Sequence, residues 1–365
     1  MPRRRSEPRP AASDRRRAAR TARPAASERS MTSRRPMEPR DLARIRFVSD
    51  PQISPDGARV AFVVTQLSEA RDEYLSNIWM VDVTGGEPRR FTTGPKRDTA
   101  PRWSPDGVRL AFVSERDTDK KPQLYVMRTD GGEPRRLTDL ANGISDPVWS
   151  PDGTRLAFVA RVGGWQEPES EHERKKSRPA RVITSLKYRW NAEGFTYDRR
   201  PHVFVVSAEG GAPTQITDGD YADADPAWSP DGTQLAFVSA RHATRDEDDQ
   251  ADVWLVSSAG GEPRRVTDTS GTASVPTFSP DGAEIAFARR VGANSVGDNV
   301  QLSAVPATGG APRALAPSLD RSPAGPIRPI WCRDGRIVFP VEDRGDVVLY
   351  RIAAPSVATR EGRDP

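Results

Sequence analysis

One pentapeptide recurs along this chain at nearly regular intervals. Trp-Ser-Pro-Asp-Gly occurs three times, and looser copies bring the total to six, beginning at Ile53, Trp103, Trp149, Trp228, Phe278 and Trp331. In Ser-Pro-Asp-Gly, proline fixes φ at the second position of a type I turn, aspartate suits the third, and glycine adopts a left-handed conformation at the fourth. Each copy therefore predicts a hairpin tip, and six copies predict six repeats of one structural unit.

An apolar strand follows each of these turns. After the turn that ends at Gly107, Leu110 and Phe112 fall on one face of the strand, and Ala111 and Val113 fall on the other. Both faces are apolar, so the strand is predicted to be buried between two neighbouring sheets. The three aligned tryptophans of the pentapeptide, and Trp331 in the sixth copy, are predicted to be core residues because they recur at one repeat position.

A second fixed turn closes the repeat. Paired glycines followed by Glu-Pro or Ala-Pro begin at five positions, namely Gly85, Gly131, Gly210, Gly260 and Gly309, so successive units are 46, 79, 50 and 49 residues long. The proline cannot donate to a ladder, which places the following strand at a sheet edge. The sequence thus predicts an all-β fold, a β-propeller of four-stranded antiparallel blades with six repeats visible.

Composition separates an N-terminal tail from the repeats. Residues 1–36 are predicted to be a disordered Arg-rich tail and residues 37–365 the propeller, with Met31 and Met37 as alternative starts to Met1. Residues 1–40 carry a net charge of +9, and the whole chain only +4, so the remaining 325 residues carry −5. A nucleic-acid arm and a transit peptide are alternatives for the tail, but the acidic body disfavours nucleic acid as a partner.

The chain shows few residues that could carry chemistry. It contains no Gly-x-Ser-x-Gly, the usual setting of a hydrolase nucleophile, and the lone Cys332 excludes an internal disulfide. Its histidines, His172, His202 and His242, have no metal-ligand spacing and are predicted to lie at the surface. The acidic run from Arg245 to Asp252 is predicted to be a solvated loop rather than a calcium site. We therefore expect no catalytic residue, no metal and no cofactor within this chain.

Localisation follows from what the sequence lacks. No stretch reaches the apolar length of a membrane span, and the arginines at the N-terminus precede no apolar core of a secretory signal. We expect a cytoplasmic protein with no membrane partner.

The longest unit contains an insertion at about residues 161–201. Its first part is charged and is predicted to be a mobile loop, whereas its second part is aromatic-rich and is predicted to pack. Four aromatic residues of the insertion are candidates for contact with a peptide or partner: Trp165, Tyr188, Trp190 and Tyr197. For the two tryptophans, packing within the insertion is the alternative.

Three segments resemble the N-terminal propeller of prolyl oligopeptidase family serine peptidases, in particular the acylaminoacyl-peptidase and dipeptidyl-peptidase-like branch. They are "MEPRDLARIRFVSDPQISPDGARVAFVVT" from Met37, the repeated "WSPDG…LAFV…GGEPRRLT", and "VITSLKYRWNAEGFTYDRRPHVFVVSAEGG" from Val182. The SPDG repeat is shared with the TolB propeller, and "LKYR…GFTYDRR" is the more specific part. The resemblance implies a seven-bladed propeller that caps an α/β-hydrolase domain and admits short peptides.

The chain departs from that pattern because six repeats are visible and no hydrolase follows them. We therefore expect the non-catalytic, substrate-gating propeller of such a peptidase, truncated before the hydrolase domain, with an incomplete seven-bladed ring. Its expected partners are short peptides, a hydrolase domain or a partner protein, and a second copy through open blade faces. The alternative is a stand-alone TolB-like propeller that binds a protein or peptide.

Overall fold

The computed structural model describes residues 35–68, 70, 72–116, 121–163, 182–191, 194–197, 199–292, 297–323, 325 and 327–353. The predicted tail falls almost wholly on residues 1–34, outside this part. The chain divides into two compact units, and the boundary lies between Leu42 and Ala43. A 3₁₀ helix spans Pro39–Arg44, and the carboxylate of Asp41 accepts the Glu38 N–H at 2.8 Å.

The second unit consists of six antiparallel blades. Blade 1 contains β1 (Arg46–Ile53), β2 (Arg59–Ser68), β3 (Glu73–Asp82) and β4 (Arg89–Arg90). Blade 2 contains β5 (Asp98–Trp103), β6 (Arg109–Ser114), β7 (Gln123–Arg128) and β8 (Arg135–Arg136). Blade 3 contains β9 (Ile144–Trp149), β10 (Arg155–Val162), β13 (Arg200–Ser207) and β14 (Thr214–Gln215), and its insertion forms a hairpin of β11 (Arg189–Trp190) and β12 (Gly194–Phe195).

The remaining blades repeat the arrangement. Blade 4 contains β15 (Asp223–Trp228), β16 (Gln234–Ser239), β17 (Asp252–Ser257) and β18 (Arg264–Arg265). Blade 5 contains β19 (Gly271–Phe278), β20 (Glu284–Val291), β21 (Gln301–Pro306) and β22 (Arg313–Ala314). Blade 6 contains β23 (Ile330–Trp331), β24 (Arg336–Asp343) and β25 (Asp346–Ala353), three strands within the described residues. The predicted all-β propeller with six repeats is confirmed.

The first strands of successive blades contact one another, so they surround the propeller axis. In blades 1 to 5 each first strand contains a bulge with a left-handed residue directly before a proline. These residues are Asp50, Ala100, Asp146, Asp225 and Val275, with φ between 47° and 55°. Blade 6 has Arg328 at this position, and its guanidinium donates to the carbonyl oxygens of Pro226, at 3.0 Å, and of Pro276. Arg328 therefore attaches the short first strand of blade 6 to blades 4 and 5.

The repeated pentapeptide also joins each blade to the one before it. Trp149 Nε1 donates to the carbonyl oxygen of Arg102 in the preceding blade at 2.9 Å, and Arg109 of that blade lies over the indole ring, 5.1 Å from its centroid. A Cβ at Gly153 would lie 3.5 Å from the ring of Pro105 in the preceding turn, so the two turns are in contact. The tryptophan hydrogen bond recurs at Trp103 and Trp228. The sequence predicted the turn but not this joint.

Each turn is held by its own aspartate. Ser150 Oγ donates to Asp152 Oδ1 at 2.5 Å, and the Thr154 N–H donates to the same oxygen at 3.0 Å. The hydrogen bond from Ser150, with those from Thr154, lowers the pKa of Asp152 to about 2. The ionised carboxylate thus stabilises the turn conformation.

A phenylalanine of the second strand marks the core between blades. Phe112 packs with Tyr125 against Ala61, Ile78 and Met80 of the preceding blade. We call the face of a blade that carries this residue its leading face. The phenylalanine is at most 1% exposed in five blades, at Phe112, Phe158, Phe237, Phe287 and Phe339. The stacking of blades is therefore the main source of buried apolar area.

The leading face of blade 1 is more exposed than its equivalents. Phe62 is only partly buried, and Val48 and Ile53 on the same face are 66% and 59% exposed. On the last blade, Val347 and Leu349 are 65% and 74% exposed. The two terminal blades thus present apolar surface that the other blades bury, as the repeat pattern predicted.

Candidate functional site

A cavity of about 920 Å³ lies where the insertion meets blades 3 and 4. The insertion contributes Val182, Ser185, Lys187 and Trp190, among others, to its wall. Blade 3 contributes the start of β9 and the end of β10, and blade 4 contributes the loop between β16 and β17. The insertion connects β10 to β13, so it lies at the end of the blade opposite the SPDG turns.

The hairpin of the insertion places the predicted aromatic residues. Trp190 pairs with Gly194 across this hairpin, and the Tyr188 ring is 6.2 Å from that of Phe195. Phe195 in turn lies 5.8 Å from Tyr197. Trp190 and Tyr197 line the cavity, whereas Tyr188 packs on Phe195, is not part of the cavity wall and is 37% exposed. The fourth predicted residue, Trp165, lies outside the described residues.

Two arginines and one aspartate form a charged part of the cavity wall. Arg200 Nε donates to Asp220 Oδ1 at 2.7 Å, and Arg245 Nη2 lies 3.8 Å from the other oxygen of the same carboxylate. The Arg245 guanidinium also lies over the ring of Tyr221, 5.2 Å from its centroid. One carboxylate thus faces two cations, so this part of the wall favours an anionic group of a ligand.

A buried ionic cluster lies behind the wall. His202 Nδ1 is 2.9 Å from Asp223 Oδ2, and Arg241 Nη2 donates to both oxygens of Asp223 at 2.9 and 3.0 Å. Burial by itself would raise the pKa of Asp223, but hydrogen bonds from His202 and Thr217 and the charge of Arg241 together lower it. The prediction that His202 lies at the surface is wrong. It is 3% exposed because it occupies an inward position at the start of β13.

This cluster is part of the blade framework. In blade 2, Asp98 accepts hydrogen bonds from Ser114 Oγ at 2.5 Å and from Arg116 Nη2 at 2.8 Å. The equivalent positions in blade 4 are occupied by Asp223, Ser239 and Arg241. In blade 4 the serine hydroxyl contacts the carboxylate, whereas a nucleophile needs contact with the imidazole. Ser239, His202 and Asp223 thus have the residue types of a catalytic triad but not its contacts. The recurrence of the geometry in two blades indicates that the cluster connects strands.

The loop between β16 and β17 holds the insertion against the cavity. Asp246 accepts hydrogen bonds from the insertion, and Lys187 Nζ donates to the carbonyl oxygen of Arg245 at 2.7 Å. Asp248 is 7% exposed and accepts Thr244 Oγ1 at 2.7 Å and His242 at 2.8 Å. The prediction that this acidic run is a solvated loop is therefore wrong for Asp248, whereas Asp246 is partly exposed and is hydrogen-bonded to the insertion.

Other site types receive no support from the described residues. Within the residues that the structure describes, no three His, Cys, Asp or Glu side chains converge as metal ligands would. In the same part of the chain, no helix has the length and apolarity needed to cross a membrane. His172, the third predicted surface histidine, lies outside this part.

The sequence of this chain matches a known domain family over most of its length. The TolB beta propeller domain matches residues 43–189 and 192–297, more than two thirds of the chain. The chain belongs to the TolB β-propeller domain family. The match includes five of the six predicted SPDG-type turns, all except the one that begins at Trp331, and it leaves out only residues 190 and 191 of the described insertion.

Relatives of this TolB-type propeller include peptidases. The uncharacterized peptidase YuxL of Bacillus subtilis is 35% identical over 210 residues, which cover 56% of this chain and 31% of that protein. The acylaminoacyl peptidase of Pyrococcus horikoshii has a TM-score of 0.63 at 18% identity, over 85% of this chain and 45% of its own. A puromycin-hydrolyzing peptidase of Mycobacterium tuberculosis has a TM-score of 0.61 at 20% identity, over 87% of this chain and 46% of its own.

These likenesses confirm the resemblance to the propellers of prolyl oligopeptidase family peptidases. The structural similarity, at such identities, shows a shared fold. The chain spans about a third of the curated relative and under half of each solved peptidase.

Proposed function

We propose that this chain is the substrate-gating propeller region of a prolyl-oligopeptidase-like serine peptidase that acts on short peptides. In this proposal the cavity under the insertion contacts the peptide, and the hydrolysis takes place in an α/β-hydrolase domain outside the present sequence. The observation that carries this proposal is the cavity itself, which is lined by Trp190 and Tyr197 of the insertion. The insertion contains the most family-specific part of the sequence, "LKYR…GFTYDRR".

The dimensions of the cavity support a short peptide as the ligand. Its volume of about 920 Å³ falls at the upper end of the range of small-molecule sites, about 300–1,000 Å³. A peptide of a few residues fits such a volume, and a folded domain does not. The aromatic rings supply apolar contact at low entropic cost, and the Arg200–Asp220–Arg245 group supplies hydrogen bonds for a polar main chain.

Binding of short peptides to the full chain tests the ligand half of the proposal. Titration calorimetry with a set of tri- to pentapeptides should identify binders. Trp190 is 55% exposed at the cavity edge, so Trp190→Ala should weaken binding by a hot-spot energy of about 2 kcal/mol, roughly thirtyfold. Tyr74→Ala is the matched control, because Tyr74 is a 52% exposed aromatic residue on blade 1. Equal affinities of the two variants would contradict the proposal.

The reading frame that follows Pro365 tests the peptidase half. A hydrolase sequence with a nucleophile elbow directly downstream is the expected result. Capture of a folded partner protein, without measurable binding of short peptides and without a downstream hydrolase, would instead favour a stand-alone TolB-like propeller.

A further inference from the structure

Two adjacent backbone amides of the insertion enclose a carboxylate. The Leu186 N–H donates to Asp246 Oδ2 at 2.7 Å, and the Lys187 N–H donates to Asp246 Oδ1 at 2.9 Å. Ser185 Oγ donates to Oδ1 at 2.7 Å. Successive N–H groups that converge on one anion form a nest, a recurrent binding arrangement for phosphate and carboxylate groups. We call Ser185–Lys187 the nest.

The nest has the charge and the geometry of a carboxylate site. Each carboxylate oxygen takes one backbone amide, so the arrangement matches a planar two-oxygen group. Lys187 adds a positive charge beside it, and its Nζ is held by the carbonyl oxygens of Arg245 and Asp248 and lies 3.6 Å from Asp249 Oδ1. The hydrogen bond from the Lys187 N–H, with those from Ser185 and Leu186, lowers the pKa of Asp246 to about 2.

The carboxylate in the nest is a side chain from a distant part of the sequence. Asp246 lies 59 to 61 residues after the nest and belongs to the loop between β16 and β17. Ser185, Lys187 and Asp246 all line the cavity, so the nest can be reached from it. Asp246 is partly exposed, and Arg245 beside it lies within the same wall.

We infer that the nest is a binding site for the C-terminal carboxylate of a short peptide, and that Asp246 is an internal stand-in which that carboxylate replaces. The peptide as ligand rests on the proposed function. The exchange substitutes one carboxylate for another, so all three donors remain satisfied, and no unpaired buried donor opposes it. The released Asp246 carboxylate can be hydrated, because Asp246 is partly exposed. Binding of the peptide is thereby coupled to loss of the Asp246 contact between the insertion and blade 4, while the bonds from Lys187 Nζ to that blade remain.

Chemical rescue of Asp246→Ala in the full chain tests this inference. Loss of the charge-assisted hydrogen bonds should speed hydrogen exchange of the Leu186 and Lys187 amides by about tenfold or more. Acetate should slow the exchange again. A tripeptide with a free C-terminus should do so at a lower concentration than acetate, and its C-terminal amide should not. Asp249→Ala is the matched control, because it removes a carboxylate near Lys187 and leaves the nest filled.

A second variant guards against misfolding of the first. Ser185→Ala removes one donor and keeps Asp246, so binding of the peptide acid should weaken several-fold while binding of the amide does not change. Unaltered exchange in β16 shows that blade 4 is intact in either variant.

The possible failures are distinguishable. If neither acetate nor the peptide acid slows exchange of the Leu186 and Lys187 amides, the inference is overturned. If the peptide acid and the peptide amide bind equally and both need Trp190, the inference is also overturned, but the proposed function stands. If acetate slows exchange and the peptide acid acts no better than acetate, the nest is a carboxylate site and the peptide half, with the proposed function, is contradicted.

Discussion

Removing the same core phenylalanine from two blades measures how far blade 1 differs from the rest. Phe158 is fully buried, and its ring stacks on Phe204 at 5.8 Å, so Phe158→Ala should lower the free energy of unfolding by about 3–5 kcal/mol. Phe62 occupies the equivalent place on blade 1 but is only partly buried. Because it loses less apolar area from water on folding, Phe62→Ala should cost about 1–2 kcal/mol.

Urea unfolding followed by circular dichroism and by tryptophan fluorescence provides the measurement. The slope of the unfolding free energy against urea concentration must be the same for both variants, because only then do the transition midpoints report stability alone. If Phe62→Ala costs as much as Phe158→Ala, the leading face of blade 1 is covered in solution, and the reasoning from its exposure is refuted.

Three further predictions concern the joints, the turns and the open faces. Trp149→Phe leaves the carbonyl oxygen of Arg102 without its donor and should cost about 1–3 kcal/mol in urea unfolding; no change would mean that the joint does not depend on this bond. The pKa of Asp152 is about 2 in the folded chain, against an ordinary 3.8, so its ionised form stabilises the fold above about pH 4 and that contribution disappears as the pH falls towards 2. Asp152→Asn should therefore show a smaller fall in Tm than the parent chain over that interval, and an identical fall would contradict the assignment. Leu349→Lys, on the exposed face of blade 6, should reduce association in light scattering across a dilution series, whereas a monomeric parent chain would show that this face does not drive association.

The fold could be predicted from the sequence because its determinants are local. Proline, aspartate and glycine specify a turn within four residues, and apolar alternation specifies the strand that follows. The joint that Trp149 makes was not predictable in the same way, because its acceptor lies 47 residues earlier and carries no side-chain signal.

The candidate site was predicted only in part. Trp190 and Tyr197 stood out because they lie outside the repeat, and the structure places both in the cavity wall. Asp246 was missed because a run of acidic residues normally faces water. Its partners are about 60 residues away, and two of them are backbone amides that no residue type reveals. His202 was misplaced because its buried partner Asp223 belongs to the next blade.

The joint between blades has a consequence for how such chains change length over evolutionary time. Its parts come from two consecutive copies of one repeat, so a tandem duplication of a whole repeat supplies both halves of a new joint at once. Loss of one part is also tolerated: Phe278 stands where four of the other five copies have tryptophan, yet a Cβ at Gly282 would still lie 3.5 Å from Pro230 of the preceding turn. A gene of this kind can gain or lose a blade without new substitutions at the surface that contacts the neighbouring blade.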